Sequence, residues 1–519
     1  MGIELGGSLG SLIARACKRW HPRIALEWPG GSLTYAELGN RISQFISAFG
    51  SLGLARGGAL AIMAPNLPET AIANAAAMVA AIRVTPVSLF MSDEDLAYIL
   101  SDAEIDVILV APEQAERVAL LAMNLDRVIQ VATLGAAQQG IDLVARANTA
   151  APSILESVAQ FGDIAVIAYT GGTTGRPKGV VHTHSSTLAT VLMAASEWEW
   201  PSPTNVVAVT PVSHAAGMLC YPAWLRGGTF HLLPSFEPAG LADYARRHNV
   251  TATFLVPTMI YRLIDFAKDT GLDLGPLETI IYGGAPIAIS RLVEAIEIFG
   301  PLFMQLYGQT EAPTCIAYLA REQHVLSRPD RLGSCGVPLA SVDIQLVDAD
   351  GAPVPTGECG EICVRGAFVM QGYWRREADT DEAMRDGWLR TGDVGRFDED
   401  GYLSIVDRTK DLIITGGFNV YPNEIEQVIA GIPGVLACGV VGIDDPHWGE
   451  AVTAFIVPVD LTNTPDPAEV ARVVRERRGA AAVPKRIEFI KALPVTPIGK
   501  IDKKVLRLWR PEAVEAHSQ

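Results

Sequence analysis

Positive charge is what this chain of 519 residues is short of: 41 Lys and Arg face 58 Asp and Glu, a formal net charge of −17. That deficit argues against a general affinity for nucleic acid or an anionic membrane, since both call for a basic surface. Cysteine is also scarce. The seven thiols fall at 17, 220, 315, 335, 359, 363 and 438, and neither a disulfide framework nor a zinc spacing is spelled out. Cys359 and Cys363 sit in CGEICVRG, whose alternation suggests a strand, and they read as buried thiols in a reducing compartment. Long apolar runs are missing too. The longest, 71–90, is Ala-rich and carries Asn74 and Arg83, so it reads as a buried helix entering a strand. The N-terminal segment MGIELGGSLGSLIARACKRW has no basic stretch ahead of an apolar one, which is not a signal-peptide pattern. The expectation is a cytoplasmic protein with no integral membrane association and no nucleic-acid partner.

Hydrophobic residues make up 49% of the chain and charged ones 19%, enough apolar material for two or more folded domains at this length. Thr34 and Glu37 form a capping box ahead of a helical period that runs to Leu52. Short β-rich runs then alternate with helical ones: ALAIMA (59–64), IDVILVA (105–111), DIAVIAYT (163–170), NVVAVTP (205–211), ATFLVP (252–257) and ETIIYGG (278–284). Such alternation predicts α/β layers with largely parallel sheets. From about Val342 the pattern turns to strand, turn, strand (DIQLVDADGAPV, GEICVRG, GYLSIVD), as in a small antiparallel unit. After Asp407 it becomes a compact α+β tail, where Asp466, Pro467 and Glu469 predict the start of a helix that stops at Gly479.

The strongest chemical signal is YTGGTTGRPKGVVHTH (169–184). Its glycines let backbone N–H groups approach an anion, its hydroxyls add donors, and Lys178 supplies a point charge, a composition suited to polyphosphate. It is not a Walker A loop, because Gly175 is followed by Arg176 and Pro177. Further along come YGGAP (282–286), YGQTE (307–311), GWLRTGD (387–393), DRTKDLIITGGFNVYPNEIE (407–426) and PIGKIDKK (497–504). Small residues ending a strand at 283–285 leave room for a purine against the backbone, and Tyr307 offers a ring for stacking. Glu311 is a hard oxygen ligand of the kind magnesium takes beside phosphates. Asp393 can accept hydrogen bonds from vicinal hydroxyls. Pro497 and Gly499 fix a tight loop that presents Lys500.

In this order and over most of the chain, these segments resemble the signatures of the adenylate-forming superfamily of acyl-CoA synthetases, peptide-synthetase adenylation domains and luciferases. The resemblance implies a fold of layered α/β sheets plus a small β-barrel-like subdomain over residues 1–407, and a small mobile α+β lid over 408–519, with Lys410 as hinge. It implies that Thr170, Gly171, Gly172, Thr173, Thr174 and Lys178 hold phosphates. Gly283, Gly284, Ala285, Tyr307 and Thr310 would hold the adenine end, and Asp393 and Arg408 the ribose and phosphate. Gly416 and Gly417 would make room for a pantetheine arm, Glu311 and Thr174 would serve magnesium, and Lys500 would be the catalytic lysine, acting with Glu311, Thr174 and His214. His214, Met218, Tyr221, Thr258, Gly308, Gln309 and Cys335 are the expected lining of the acid pocket.

The activity implied is that of an acid–CoA ligase using ATP, Mg2+ and coenzyme A on a fatty or an aryl or alicyclic carboxylic acid. Loading of a separate carrier protein and a catalytically inactive nucleotide- or acyl-binding relative are the alternatives. A homodimer is the expected assembly. Charge adds one refinement: residues 470–519 hold 12 Lys and Arg against 5 Asp and Glu, so the basic excess sits in the part that carries Lys500.

Overall fold

Thr34 caps the helix Tyr35–Ser51 reciprocally: its hydroxyl accepts from the Glu37 N–H at 3.2 Å, and the Glu37 carboxylate accepts from the Thr34 N–H at 2.8 Å. The helix Pro68–Val79 runs into the strand Arg83–Pro86 within the longest apolar stretch. Asp466 accepts from the Ala468 N–H at the start of the helix Pro467–Arg478, and Gly479 ends it. These local signals act within a computed structural model that describes residues 7–170, 176–213, 215–408, 411–416, 418–495 and 501–509.

Each β-rich run of the alternating region is a strand, and together they form two large sheets. The first has the order Gly372–Tyr373, Lys178–Thr183, Ile164–Thr170, Arg83–Pro86, Ala59–Met63, Val107–Val110, Gln130–Thr133, Ile141–Asp142. It is parallel from Ile164–Thr170 to its far edge and antiparallel where that strand pairs with Lys178–Thr183. The second runs Val337–Pro338, Ala312–Leu319, Phe303–Gln309, Thr279–Gly283, Ala252–Leu255, Asn205–Ala208, Thr229–Leu232, Ile24–Trp28, Gly31–Thr34. Its interior is parallel and both its edges antiparallel.

One buried cluster includes Leu60, Val84 and Val107 of the first sheet with Val206, Phe230, Ile281 and Met304 of the second, so the two sheets share a core. Polar tips within it are satisfied: Tyr35 donates to the Gly228 carbonyl at 2.6 Å, and the Trp224 indole to that of Ala25 at 2.8 Å. Beyond Val342 lies the small antiparallel sheet, with Asp343–Val347, Gly360–Arg365 and Trp388–Phe397 in sequence and Leu403–Arg408 paired to the last. The tail has its own sheet of Phe418–Val420, Ile413–Thr415, Gly449–Pro458, Val435–Asp445 and Arg486–Phe489, and its own core around Ile425, Val440, Val452 and Val470. The architecture is the α/β one expected, with a large N-terminal part and a smaller C-terminal one. All seven cysteines are free. No helix among the described residues is long and apolar enough to cross a membrane.

Burial holds several histidines neutral. His184 and His324 are pushed down to about 4 and His231 to about 3, in each case chiefly by loss of water around the ring. Neither nitrogen of His184 has a partner among the described residues. The unfolded chain takes up these protons near pH 6.5 and the folded one does not, so stability falls as pH drops below about 6.5. We expect urea midpoints to decline on acidification, and His184→Leu to flatten part of that decline.

Candidate active site

The parallel strands of both sheets deliver their carboxyl ends to one region, where loops of an α/β layer collect ligands. In the first sheet Ile164–Thr170 and Lys178–Thr183 form a hairpin with Thr170 opposite Lys178. Its connection is the Gly- and Thr-rich segment. Gly171, Gly172, Thr173 and Thr174 lie outside the described residues, as do His214, Lys410, Gly417 and Lys500. Lys178 does not project freely: its ammonium meets Asp379 of the helix Glu377–Ala383 at 2.5 Å and lies 5.1 Å from the centre of the Tyr373 ring. The hydrogen bond from Lys178 holds the Asp379 carboxyl below its ordinary range.

In the second sheet Thr279–Gly283 and Phe303–Gln309 lie side by side. A side chain at Gly283 would meet the Leu306 carbonyl at 2.5 Å, so only glycine lets the strands approach there. Gly284 takes a φ of +80° with open space above it, and Ala285 is exposed. Residues 283–285 are therefore a bare backbone ledge. Gly308 is constrained in the same way, because a Cβ would collide with the Thr314 amide. Thr314 itself has a φ of +53°, a left-handed conformation that L residues other than glycine seldom adopt. It sits in an irregular register, where Tyr307 faces Ala317 but Gln309 faces Ala312.

Beside this ledge three of the expected nucleotide residues meet. Tyr307 donates its hydroxyl to Asp393 Oδ2 at 2.7 Å, and Arg408 Nε lies 3.2 Å from Asp393 Oδ1. Asp393 and Tyr307 are each 6% exposed. Burial, then the Asp393 charge, drives the Tyr307 phenol well above its ordinary value, so it stays a donor. Glu311 accepts from the Tyr373 hydroxyl at 2.9 Å, and the Thr310 carbonyl accepts from His182 Nε2 at 2.7 Å. These two bonds fasten YGQTE to the phosphate-loop hairpin and to the strand beside it.

The residues expected around the acid are spread over several elements. Met218 ends the helix Ala215–Met218, and Tyr221 lies edge-on to Trp224 at 5.9 Å. Thr258 is exposed in the first turn of the helix Pro257–Thr270, and Gln309 is half-buried. Cys335 is almost wholly covered, with its thiol turned to the Leu403 carbonyl at 3.1 Å. Gly416 has a φ of +56° and donates its N–H to the Trp448 carbonyl at 2.8 Å; nearby Phe418 is 64% exposed.

Tyr373, Asp379 and Asp407 were not legible as site residues. Tyr373 and Asp379 act on partners 62 and 201 residues away in the chain, and no local pattern marks such pairings. Asp407 lies near the end of the strand Leu403–Arg408, and its Oδ2 accepts from the Asn423 N–H at 2.8 Å. The helix Pro422–Ala430 has no cap from its own flanking Tyr421, so a carboxylate from across the junction supplies one. Lys503 forms an ion pair with Glu426 at 2.9 Å. Burial pulls its pKa down, but Glu426 and Asp407 outweigh that and hold it above the ordinary value. Val495 pairs with Ile501, and Asp502 donates its N–H to the Pro494 carbonyl at 2.8 Å.

The ledge at 283–285, an anchored carboxylate and a carboxylate–phenol–guanidinium cluster at the carboxyl ends of the strands make a site suited to a nucleotide. Residues 13–374 match the AMP-binding enzyme family and residues 424–500 its C-terminal domain, and the chain belongs to that family. It is 40% identical over 512 residues to the medium/long-chain-fatty-acid–CoA ligase FadD8 of Mycobacterium tuberculosis, covering 96% of this chain and 89% of that one. It is 36% identical to the feruloyl-CoA synthase of an Amycolatopsis species, covering 96% and 98%. Among solved structures, the amide bond synthetase McbA from Marinactinospora thermotolerans superimposes with a TM-score of 0.89 at 34% identity, covering 97% and 100%. ATP-bound MatB from Rhodopseudomonas palustris does so with 0.87 at 30% identity, covering 96% and 98%.

Asp407 gives this region a pH signature. Burial pushes its carboxyl up to about 6, against the pull of Lys503 and of the Asn423 and Arg408 amides. A carboxyl whose folded value exceeds its unfolded one contributes stability below the unfolded value, and that contribution is lost as pH rises through about 6. Asp407→Asn, neutral at every pH, should remove this loss, which unfolding of the variant across that range would register.

Proposed function

We propose that the chain is an ATP-dependent acid–CoA ligase with a fatty or an aryl or alicyclic acid as substrate. The observation that carries this reading is the cluster of Tyr307, Asp393 and Arg408 beside the 283–285 ledge, within one region that also holds the phosphate-loop hairpin. The names of the relatives support the choice of acceptor. A carboxylate oxygen attacks the α-phosphorus of ATP, the bond to the pyrophosphate oxygen breaks, and pyrophosphate leaves. The CoA sulfur then attacks the acyl carbon, AMP departs with the electron pair, and the thiol proton goes to solvent.

The first step brings anions together, so its barrier falls where positive charge and donors are fixed in advance. In this reading Thr170, Gly171, Gly172, Thr173 and Thr174 cradle the phosphates, and Lys178 exchanges Asp379 for a phosphate oxygen. Adenine lies on Gly283, Gly284 and Ala285 against Tyr307, beside Thr310. Asp393 retains lone pairs for the ribose hydroxyls beyond those Tyr307 and Arg408 use. Lys500 and His214 face the reacting carboxylate. Met218, Tyr221, Thr258, Gly308 and Gln309 border the acid, with Cys335 buried against Leu403.

A single anchored carboxylate fits magnesium, which binds through one or two protein carboxylates and completes its shell with phosphate and water. Among the described residues no three His, Cys, Asp or Glu side chains group as a metal cage, which suits an ion that arrives with ATP. Glu311, held by Tyr373, and Thr174 would hold it; when bound it would supply charge neutralisation.

We also propose that 1–407 and 408–519 move as two bodies about Lys410, with Gly416 and Gly417 opening a path for the pantetheine arm after adenylation. Asp407 precedes that hinge and Asn423 follows it, so the cap between them belongs to one orientation and breaks in the other. Seven free thiols accord with a cytoplasmic location.

Incubation with ATP, magnesium, CoA and a panel of fatty, hydroxycinnamic and alicyclic acids should release AMP and consume thiol in step for at least one acid. Acid-dependent AMP without thiol loss would overturn the CoA-ligase reading, and an amine arm would detect amide formation instead. Lys500→Ala should abolish adenylation yet still convert a supplied acyl-adenylate to thioester, whereas Lys410→Pro should spare adenylation and stop thioester formation. Equal loss of both steps in either variant would sink the two-body scheme.

A further inference from the structure

Most of the arginines in this acidic chain pair with a carboxylate: Arg56 with Asp163, Arg291 with Asp265 and Arg478 with Glu424 are examples. Three that do not do so among the described residues line one pocket. Arg19, Arg23 and Arg226 border a cavity of about 600 Å³ together with Trp20, Ser202–Asn205 and Leu225–Gly228, and none of these lining residues is acidic. In a chain where acids outnumber bases by 17, three guanidinium groups around one space with no acidic side chain in its lining concentrate positive charge where an anion can meet it.

The topology builds this pocket. Arg23 immediately precedes the strand Ile24–Trp28, Thr204 the strand Asn205–Ala208, and Gly228 the strand Thr229–Leu232. These three strands are mutually parallel, so the pocket lies at their amino ends. The ATP-handling residues lie at the carboxyl ends, and the sheet separates the two.

Trp20 orders the cations. Its indole donates to the Leu225 carbonyl at 3.3 Å and lies so close over Gly227, whose φ is +72°, that a Cβ there would fall 2.5 Å from the ring. The Arg19 and Arg23 guanidinium carbons stand 4.6 and 4.3 Å from the ring centre. Arg226 is aimed by bonds to Thr204 Oγ1 and the Ala195 carbonyl, each at 3.3 Å, and Arg23 by one to the Gly227 carbonyl at 3.4 Å. The indole is thus already engaged, and what the pocket offers a ligand is guanidinium N–H groups. Planar forks of that kind match tetrahedral oxyanions. A carboxylate would leave cations unmatched, whereas a dianion neutralises most of them, and the volume exceeds a bare ion.

We propose that this pocket is a second anion site, remote from the adenylating one, that binds the phosphate monoester group of an organic molecule. The group could come from a soluble ester or from a lipid headgroup, and the test separates the two. Equilibrium dialysis with glycerol 3-phosphate, with glycerol as control, would be run beside sedimentation with phosphatidylcholine vesicles containing or lacking phosphatidic acid. At least one phosphate monoester should bind saturably and lose affinity as salt rises. Binding of glycerol 3-phosphate assigns a soluble ester, and binding only to phosphatidic acid vesicles assigns the headgroup. Arg19→Gln/Arg23→Gln/Arg226→Gln should weaken the binding roughly ten-fold or more while leaving acid-dependent AMP release unchanged. Arg19→Gln alone, at an exposed side chain, should weaken it measurably if the triple variant fails to fold. Failure of both probes to bind, or undiminished binding in these variants, would overturn the proposal.

Discussion

One buried carboxylate ties the second large sheet, the small antiparallel sheet and the strand that leads toward the tail to a common geometry. Asp393 belongs to the strand Trp388–Phe397, receives a hydrogen bond from Tyr307 of the second large sheet, and meets Arg408 at the end of the strand that leads toward the tail. A charge with so little water must be fully partnered, and removing one partner costs more than the bond itself is worth. The three elements are therefore fixed relative to one another. The ledge at 283–285 and the loop that carries Glu311 take their places from the same strands.

Around that carboxylate the ionic chemistry is arranged in held pairs. Asp379 holds Lys178, Tyr373 holds Glu311, and Glu426 holds Lys503. Each of these groups is already partnered, so the charges are held in place without being left bare. At the opposite end of the sheet three arginines share one pocket whose lining holds no acidic side chain.

Much of this was open to reading. The Thr34 capping box, the six β-rich runs and the Asp466 helix start all depend on neighbours within a few residues, where propensity and hydrogen-bonding geometry act directly. The motifs that mark the family are local too. What no local rule could supply is the pairing of side chains far apart in sequence: Tyr373 on Glu311, Asp379 on Lys178, or Asp407 capping a helix that begins fifteen residues later. Nor does any pattern foretell that the Cys335 thiol turns to Leu403 and away from open space.

The sequence by itself determined the element types and the family and proposed a list of candidate residues for a nucleotide, because those follow from short-range sterics, hydrophobic periodicity and functional groups. Only the tertiary structure decided which of those groups meet, which are shielded and which are already paired. Register does this: moving a strand by one residue would turn Tyr307 away from Asp393. It also decided that Arg19, Arg23 and Arg226, scattered across two hundred residues, share one pocket, because three parallel strands begin side by side there.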